Sequence, residues 1–216
     1  VTGNPSAPTI SSYYPSSSSW VKDDYIDVTV PGKNSVSCRI FAWWFTVDSS
    51  SSPPSVGSLG SNYFLNPSSS ATTYRLTSVT CGEWYIHSHF QDEANRLSQW
   101  TTSHKMKLDE CDPTNVNLHN PGSSYYSTAP GLTWDPASDA HSDLPSKPYK
   151  IEVNGNTIGS YSGTSLSGSS YSSQLICGEN TIKLTVKDNV GNTATDEETL
   201  YYDVCAPTQP VLTTPL

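Results

Sequence analysis

Charge is scarce in this chain: only 14% of its 216 residues are Asp, Glu, Lys or Arg, and a single Met occurs. No stretch approaches the eighteen or so consecutive apolar residues that a membrane-spanning helix needs. Nor does any segment repeat apolar residues at helical period over ten or more positions, which argues against a helical or doubly wound fold. The five cysteines include no CxxC pair, so zinc ribbons and thioredoxin-type redox chemistry lack their usual frame. A nucleophile elbow is missing too: Gly159 to Gly163 reads Gly-Ser-Tyr-Ser-Gly, with Tyr161 where a serine would stand. Acidic pairs such as Asp23-Asp24 read as solvated turns, and nothing sets two carboxylates across a cleft, so the sequence points away from an enzyme. Asn4 and Asn66 are each followed by Pro, which removes them as N-glycosylation acceptors. A formal net charge of −9 gives nucleic acid phosphates nothing to bind.

What the chain has is β-branched and aromatic residues, with 6 Trp and 13 Tyr, set between clusters of Ser, Gly, Pro and Asn. That composition suits a packed β domain rather than a disordered one. It also has a repeat. Cys81-Gly82-Glu83 opens a segment ending at Cys111, and Cys177-Gly178-Glu179, 96 residues later, opens another ending at Cys205. The same offset maps Ile86 onto Ile182, Phe90 onto Val186 and Asp92 onto Asp188. Ala7-Pro8-Thr9, Asp112-Pro113-Thr114 and Ala206-Pro207-Thr208 head successive copies. The expected organisation is a first repeat over 1–111, a second over 112–205, and the start of a third repeat, or an assembly strand, over 206–216. Beginning at Val1 with no signal-peptide pattern, the chain reads as a piece of a longer secreted polypeptide.

The second repeat resolves further. Thr181 to Lys187 alternates, with Ile182, Leu184 and Val186 on one face, as a half-buried strand requires. Asp188 to Asn192 supplies turn residues and Glu198 to Val204 returns, which places Cys177 and Cys205 opposite each other about a midpoint at Gly191. Cys81 and Cys111 repeat the arrangement about Arg96, so a disulfide in each hairpin is geometrically natural and implies an oxidising compartment. Cys38 is left as an unpaired thiol, buried or intermolecular. Further strands are expected near Asn115 to His119, Leu132 to Asp135, Tyr149 to Val153, Thr157 to Tyr161 and Ser170 to Ile176. Leu132 to Asp139, Tyr149 to Gly155 and Asn180 to Asn192 resemble the fibronectin type III and immunoglobulin-like repeats of bacterial surface proteins. In the first repeat Trp43 to Asp48 is the counterpart of the Tyr149 strand. The resemblance implies an all-β fold of two tandem immunoglobulin-like β-sandwiches, each with a disulfide closing its last hairpin.

Candidate sites are few. His87 and His89 share a strand face, but the disulfide register sets His104 opposite Ser88 on the other face, so the three read as plain surface histidines and no metal site is expected. Asp135, Asp139 and Asp143, and separately Asp188 with Asn192, fit turn chemistry; calcium is the one ion such loops invite, and no cofactor is expected. Trp43 or Trp44, and Trp134, belong in the core, whereas Trp20 and Trp100 have no core role and are the candidate ligand aromatics. The runs Ser16–Ser19, Ser49–Ser52, Ser68–Ser70 and Ser167–Ser173 read as loops open to O-linked sugars. Val211 and Leu212 are the candidate assembly strand. The expected role is a non-enzymatic extracellular module of a repeat-built stalk, fibre, filament or surface layer; the alternative is an adhesin module that binds carbohydrate or protein. Partners are then neighbouring repeats or protomers of the same protein, or glycans.

Overall fold

The computed structural model describes residues 11–12, 19–23, 25–30, 40–55, 62–65, 69–70, 72–77 and 79–210. Cys38, Val211 and Leu212 lie outside them. The chain divides into two compact units, Val1–Cys111 and Asp112–Leu216.

The first unit holds β1 (Ser11–Ser12), β2 (Tyr25–Val30), β3 (Ile40–Asp48), β4 (Asn62–Leu65), β5 (Thr72–Thr77), β6 (Gly82–Asp92) and β7 (Thr101–Leu108). They form a three-stranded sheet, β1-β2-β5, and a four-stranded sheet, β4-β3-β6-β7. Ile26, Val28, Tyr74 and Leu76 of the smaller sheet meet Trp43, Ile86, Phe90, Met106 and Leu108 of the larger. Each large side chain so buried contributes about 1.5 to 3 kcal/mol, and the Trp43 ring packs edge-on to Phe90 at 5.1 Å.

The second unit holds β8 (Leu132–Thr133), β9 (Tyr149–Val153), β10 (Asn156–Tyr161), β11 (Ser165–Leu166), β12 (Gly178–Lys187) and β13 (Thr193–Tyr202). Its four-stranded sheet runs β10-β9-β12-β13, and β11 pairs with β8. Ile182, Leu184 and Val186 are buried as the alternation requires, with Trp134, Tyr149, Ile151 and Leu200 around them. Asn115 to His119 is no continuous strand; only bridges Thr114↔Ser138 and Leu118↔Trp134 form there.

Ser170 to Ile176 is also not a strand. Two 3-10 turns, Gly168–Ser170 and Ser172–Gln174, occupy it, and between them Tyr171 is fully buried with its hydroxyl donating to the Pro130 carbonyl at 2.5 Å. Burial pushes the Tyr171 phenol up to about 12, with Tyr126 and Tyr202 adding to the effect. Reaching that acceptor demands a tight coil, which an extended backbone would not allow.

Disulfides join Cys81 to Cys111 and Cys177 to Cys205, each with Cα atoms 6.0 Å apart. The hairpin registers differ from those extrapolated from the cysteines. Gly178 pairs with Tyr202 and Lys187 with Thr193, so the turn centres on Val190 rather than Gly191. Gly82 pairs with Leu108, which puts Asp109 in register with Cys81 and Cys111 two residues beyond. In both units an aspartate makes up that overhang: the Cys111 amide donates to Asp109 Oδ1 at 3.2 Å, and the Cys205 amide to Asp203 Oδ1 at 3.3 Å. This Asx turn bends the chain back over the open end of the hairpin.

Candidate functional site

Successive residues of a strand face opposite ways, so the side chains of β6 that miss the core must cover the other side of its sheet. They are Glu83, Tyr85, His87 and His89; β3 sets Trp44 opposite His89, Thr46 opposite His87 and Asp48 opposite Tyr85. An outer sheet face normally meets water, yet His87 is 0% and His89 1% exposed. They are not surface histidines. His104 is not opposite Ser88 either: Thr101 holds that position, because the β6–β7 register slips between Tyr85 and His87.

Trp100 provides part of the cover. After β6 the chain turns at Asp92, Leu97 bridges back to Gln91, and Ser98 is tied to Phe90 through its amide at 2.9 Å and its hydroxyl at 3.0 Å. Those ties return Trp100 to the sheet beside His89, and the two rings stack with centroids 3.9 Å apart and planes within 10°. Burial pushes the His89 imidazole down to about 4, opposed by a hydrogen bond with the Ser98 backbone. Among the described residues Trp100 Nε1 has no hydrogen-bond partner. His87 Nε2 lies 2.8 Å from the Ser50 carbonyl and 3.5 Å from Asp48 Oδ1, so this nitrogen carries the proton and donates it. The Tyr85 ring runs nearly parallel to that imidazole at 6.5 Å.

Trp20 flanks the same face. Val21 makes a parallel bridge to Leu108, the Val21 amide donates to the Lys107 carbonyl, and the Asp109 amide donates to the Val21 carbonyl. This places the Trp20 ring beneath the Lys107 ammonium at 5.3 Å. Lys105 and Lys107 both reach Glu83, at 2.6 and 3.5 Å, and the Lys105 hydrogen bond holds the Glu83 carboxyl below the usual carboxylate range. The two candidate aromatics named from sequence thus border one face, joined by Trp44, by Tyr85, which the sequence reading did not single out, and by the two imidazoles it read as surface histidines. The missed signal was Tyr85, His87 and His89 at alternate positions of β6, with Trp44 of β3 opposite His89.

The second unit has the same frame with a different covering. Tyr126 bridges Tyr202 in parallel as Val21 bridges Leu108, and Tyr125, 63% exposed, stands over Tyr201 at 5.3 Å where the first unit has Trp20 over Lys107. On the equivalent outer face Lys150 pairs with Thr185, and Glu152 with Lys183. Rings in one unit are replaced by hydroxyls and ions in the other.

The remaining candidates serve turns and local side-chain contacts. Asp188 Oδ1 accepts the amides of Val190, Gly191 and Asn192, at 3.0, 2.5 and 2.8 Å. Asp139 Oδ2 accepts the amides of His141 and Asp143, while Asp135 accepts from Asn117 and His119. Asp143 itself adopts a left-handed φ of 63° and offers its carbonyl to the Asn189 amide.

No family model and no curated protein matches the chain. Among solved structures, the chain is similar to the fibronectin(III)-like modules of Clostridium thermocellum CbhA, at 14% identity and a TM-score of 0.39, covering 94% of this chain and all of that one. It is similar to a bacterial ice-binding adhesin at 16% identity and a TM-score of 0.40, covering 91% of this chain and 65% of that one. It is also similar to a segment of two fibronectin type III domains of chicken tenascin, at 14% identity and a TM-score of 0.34, with coverages of 92% and 99%. With β1-β2-β5 packed on β4-β3-β6-β7 in the first unit, and the same four-stranded order β10-β9-β12-β13 in the second, the fold is all-β.

Proposed function

We propose that the chain is a pair of extracellular scaffold modules, a segment of a stalk, fibre, filament or surface layer, and that it performs no covalent chemistry. The observation that carries this reading is that equivalent residues do the same structural work in both units. Asp92 and Asp188 organise the hairpin turn, Asp109 and Asp203 bend the chain at the second cysteine, and Val21 and Tyr126 seal the outer edge of the last strand. The parallel bridges made by Val21 and Tyr126 cover part of the last strand's edge, which left open would be a template for edge-to-edge pairing. The disulfides suit an oxidising exterior. Neighbouring repeats or protomers of the same protein are the partners this role requires, and it calls for no cofactor.

The test uses protein from its natural source. Non-reducing peptide mapping is expected to recover the Cys81–Cys111 and Cys177–Cys205 links, and antibody labelling of intact cells to find the chain outside the membrane. Reduced thiols together with labelling only after permeabilisation would remove the proposal.

A second reading, an adhesin module that binds carbohydrate or protein, is favoured by one specific observation: the outer sheet face of the first unit departs from the repeat just where the scaffold does not need it to.

A further inference from the structure

We infer that Tyr125 and Tyr201 of the second unit form a site of oxidative cross-linking, at which an extracellular peroxidase-class oxidant joins their rings into a dityrosine. The inference rests on the scaffold reading for the oxidant and the load; the coupling itself is tested apart from that reading.

Coupling two phenols requires access for the oxidant and a second ring already in place. Tyr125 is 63% exposed, and its ring stands 5.3 Å from that of Tyr201, centroid to centroid, with the planes inclined at 49°. The backbone holds the pair in register. The Tyr126 amide donates to the Tyr201 carbonyl at 2.9 Å, the Asp203 amide donates to the Tyr126 carbonyl at 2.9 Å, and Asn120 Nδ2 donates to the Glu198 carboxylate at 2.5 Å. Residues 120–126 are thus tied along β13 at both ends, so the two rings meet as groups of one molecule rather than by diffusion. Two neighbouring phenols are engaged elsewhere. Tyr126 donates its hydroxyl to the Pro121 carbonyl, and the fully buried Tyr171 donates to the Pro130 carbonyl. In the first unit the equivalent place holds Trp20 beneath Lys107, a pair that cannot form this link.

Each phenol gives up one electron and one proton, and the two phenoxyl radicals join by a C–C bond between carbons ortho to their hydroxyls. The hydrogens on those two carbons move to the oxygens and restore both phenols. Hydrogen peroxide, the co-substrate of the peroxidase, accepts the two electrons and two protons and leaves as two waters. The product ties the segment ahead of β8 to the last strand. A pull that enters at Asp112 and leaves at Cys205 then crosses from Tyr125 to Tyr201 through the new bond, and the chain between them, which carries β8 to β12, is spared the load.

The experiment treats the full chain, dilute enough that chains rarely meet, with a haem peroxidase and hydrogen peroxide, and reads dityrosine fluorescence, the intact mass of the monomer and the cross-linked peptides. Because the oxidant is supplied, the outcome does not depend on where the chain resides. A monomer lighter by two hydrogen atoms is expected, with a peptide containing Tyr125 joined to one containing Tyr201. Fluorescence is expected to fall about tenfold in Tyr125→Phe and in Tyr201→Phe, since the remaining phenols must find partners by diffusion. Both substitutions keep the ring, and each variant is accepted only with an unchanged thermal transition before oxidation. The oxidised parent is expected to melt at a higher temperature in its second unit. No cross-link, links between chains only, an intrachain link confined to other tyrosines, or fluorescence retained in either Phe variant would each overturn the inference.

Discussion

At the offset of 96 residues Asp92 and Asp188 perform one task with different helpers. Asp188 Oδ1 gathers three turn amides and its Oδ2 accepts from the Asn192 side chain at 2.7 Å. Asp92 Oδ1 accepts the amides of Ala94 and Arg96, and Oδ2 takes the Arg96 guanidinium. Burial alone would raise the Asp92 carboxyl; these hydrogen bonds outweigh it and hold the group below its ordinary range. Gly191, at φ 104°, supplies the left-handed step that lets the chain wrap round the carboxylate. Replacing Asp188 by Ala strands several amides in a tight turn, and a loss of about 2 to 4 kcal/mol is expected in urea unfolding, with Asp188→Asn losing less. A second residue-scale prediction concerns His89. Above pH 6.5 its imidazole is neutral in both folded and unfolded chains and pH has no hold on it. Below 6.5 the unfolded chain takes up a proton that the folded state, with its pKa near 4, refuses. Stability of the first unit therefore falls as pH drops from 6.5 to 4, by up to about 3 kcal/mol, and levels off below. Thermal midpoints across that window should show the slope, and His89→Leu should flatten it.

The last hairpin is the element that both units share most closely, and its covalent closure carries the largest single expected contribution. Cys177 and Cys205 are 28 residues apart, and opening that loop with the double substitution Cys177→Ser/Cys205→Ser is expected to cost about 3 to 4 kcal/mol, read as a shifted denaturation midpoint in the second unit alone. Chain-entropy closure accounts for that figure; the Asx turns at Asp109 and Asp203 fix where the closure falls. The β8–β11 region depends instead on close backbone approach. A Cβ on Gly168 would lie 1.9 Å from the Ala129 carbonyl oxygen, so Gly168→Ala is expected to cost more than about 2 kcal/mol or to prevent folding, checked by soluble yield and thermal melting. Elsewhere equivalent sites are satisfied by unlike residues: Trp84 Nε1 donates to the Thr80 carbonyl, and at the same places in the second unit Asn180 Nδ2 donates to the Ile176 carbonyl. The two hairpins share the need for a donor there, not the side chain that provides it.

For the molecule as a whole, a part in assembly for the segment after Cys205 is open to a direct test. Residues 206–210 are exposed and form no strand, and Val211 and Leu212 fall outside the described residues. A segment that added to a neighbour's sheet edge would join protomers head to tail. Deleting Pro207 to Leu216 should then lower the mass seen by light scattering. An unchanged mass takes the tail out of assembly, and a monomeric parent removes the association itself.

The sequence by itself determined the all-β class, the duplicated cysteine frame and the buried faces of β9 and β12, because each is encoded by short-range periodicity or by residues repeated at a fixed offset. Tyr149 to Val153 is legible since its alternation and its neighbours agree. Tertiary structure decided what depends on partners distant in the chain. Ser170 to Ile176 coils because Tyr171 must reach the Pro130 carbonyl, and no local pattern contains that acceptor. The hairpin registers are set by the Asx turns and the slip after Tyr85, not by the cysteine midpoints. His87 and His89 alternate as surface residues should, yet they are buried. What covers His89 is a tryptophan that the loop at Ser98 brings back to the sheet, a contact whose physical cause is a long-range return of the chain rather than anything in the strand's own pattern.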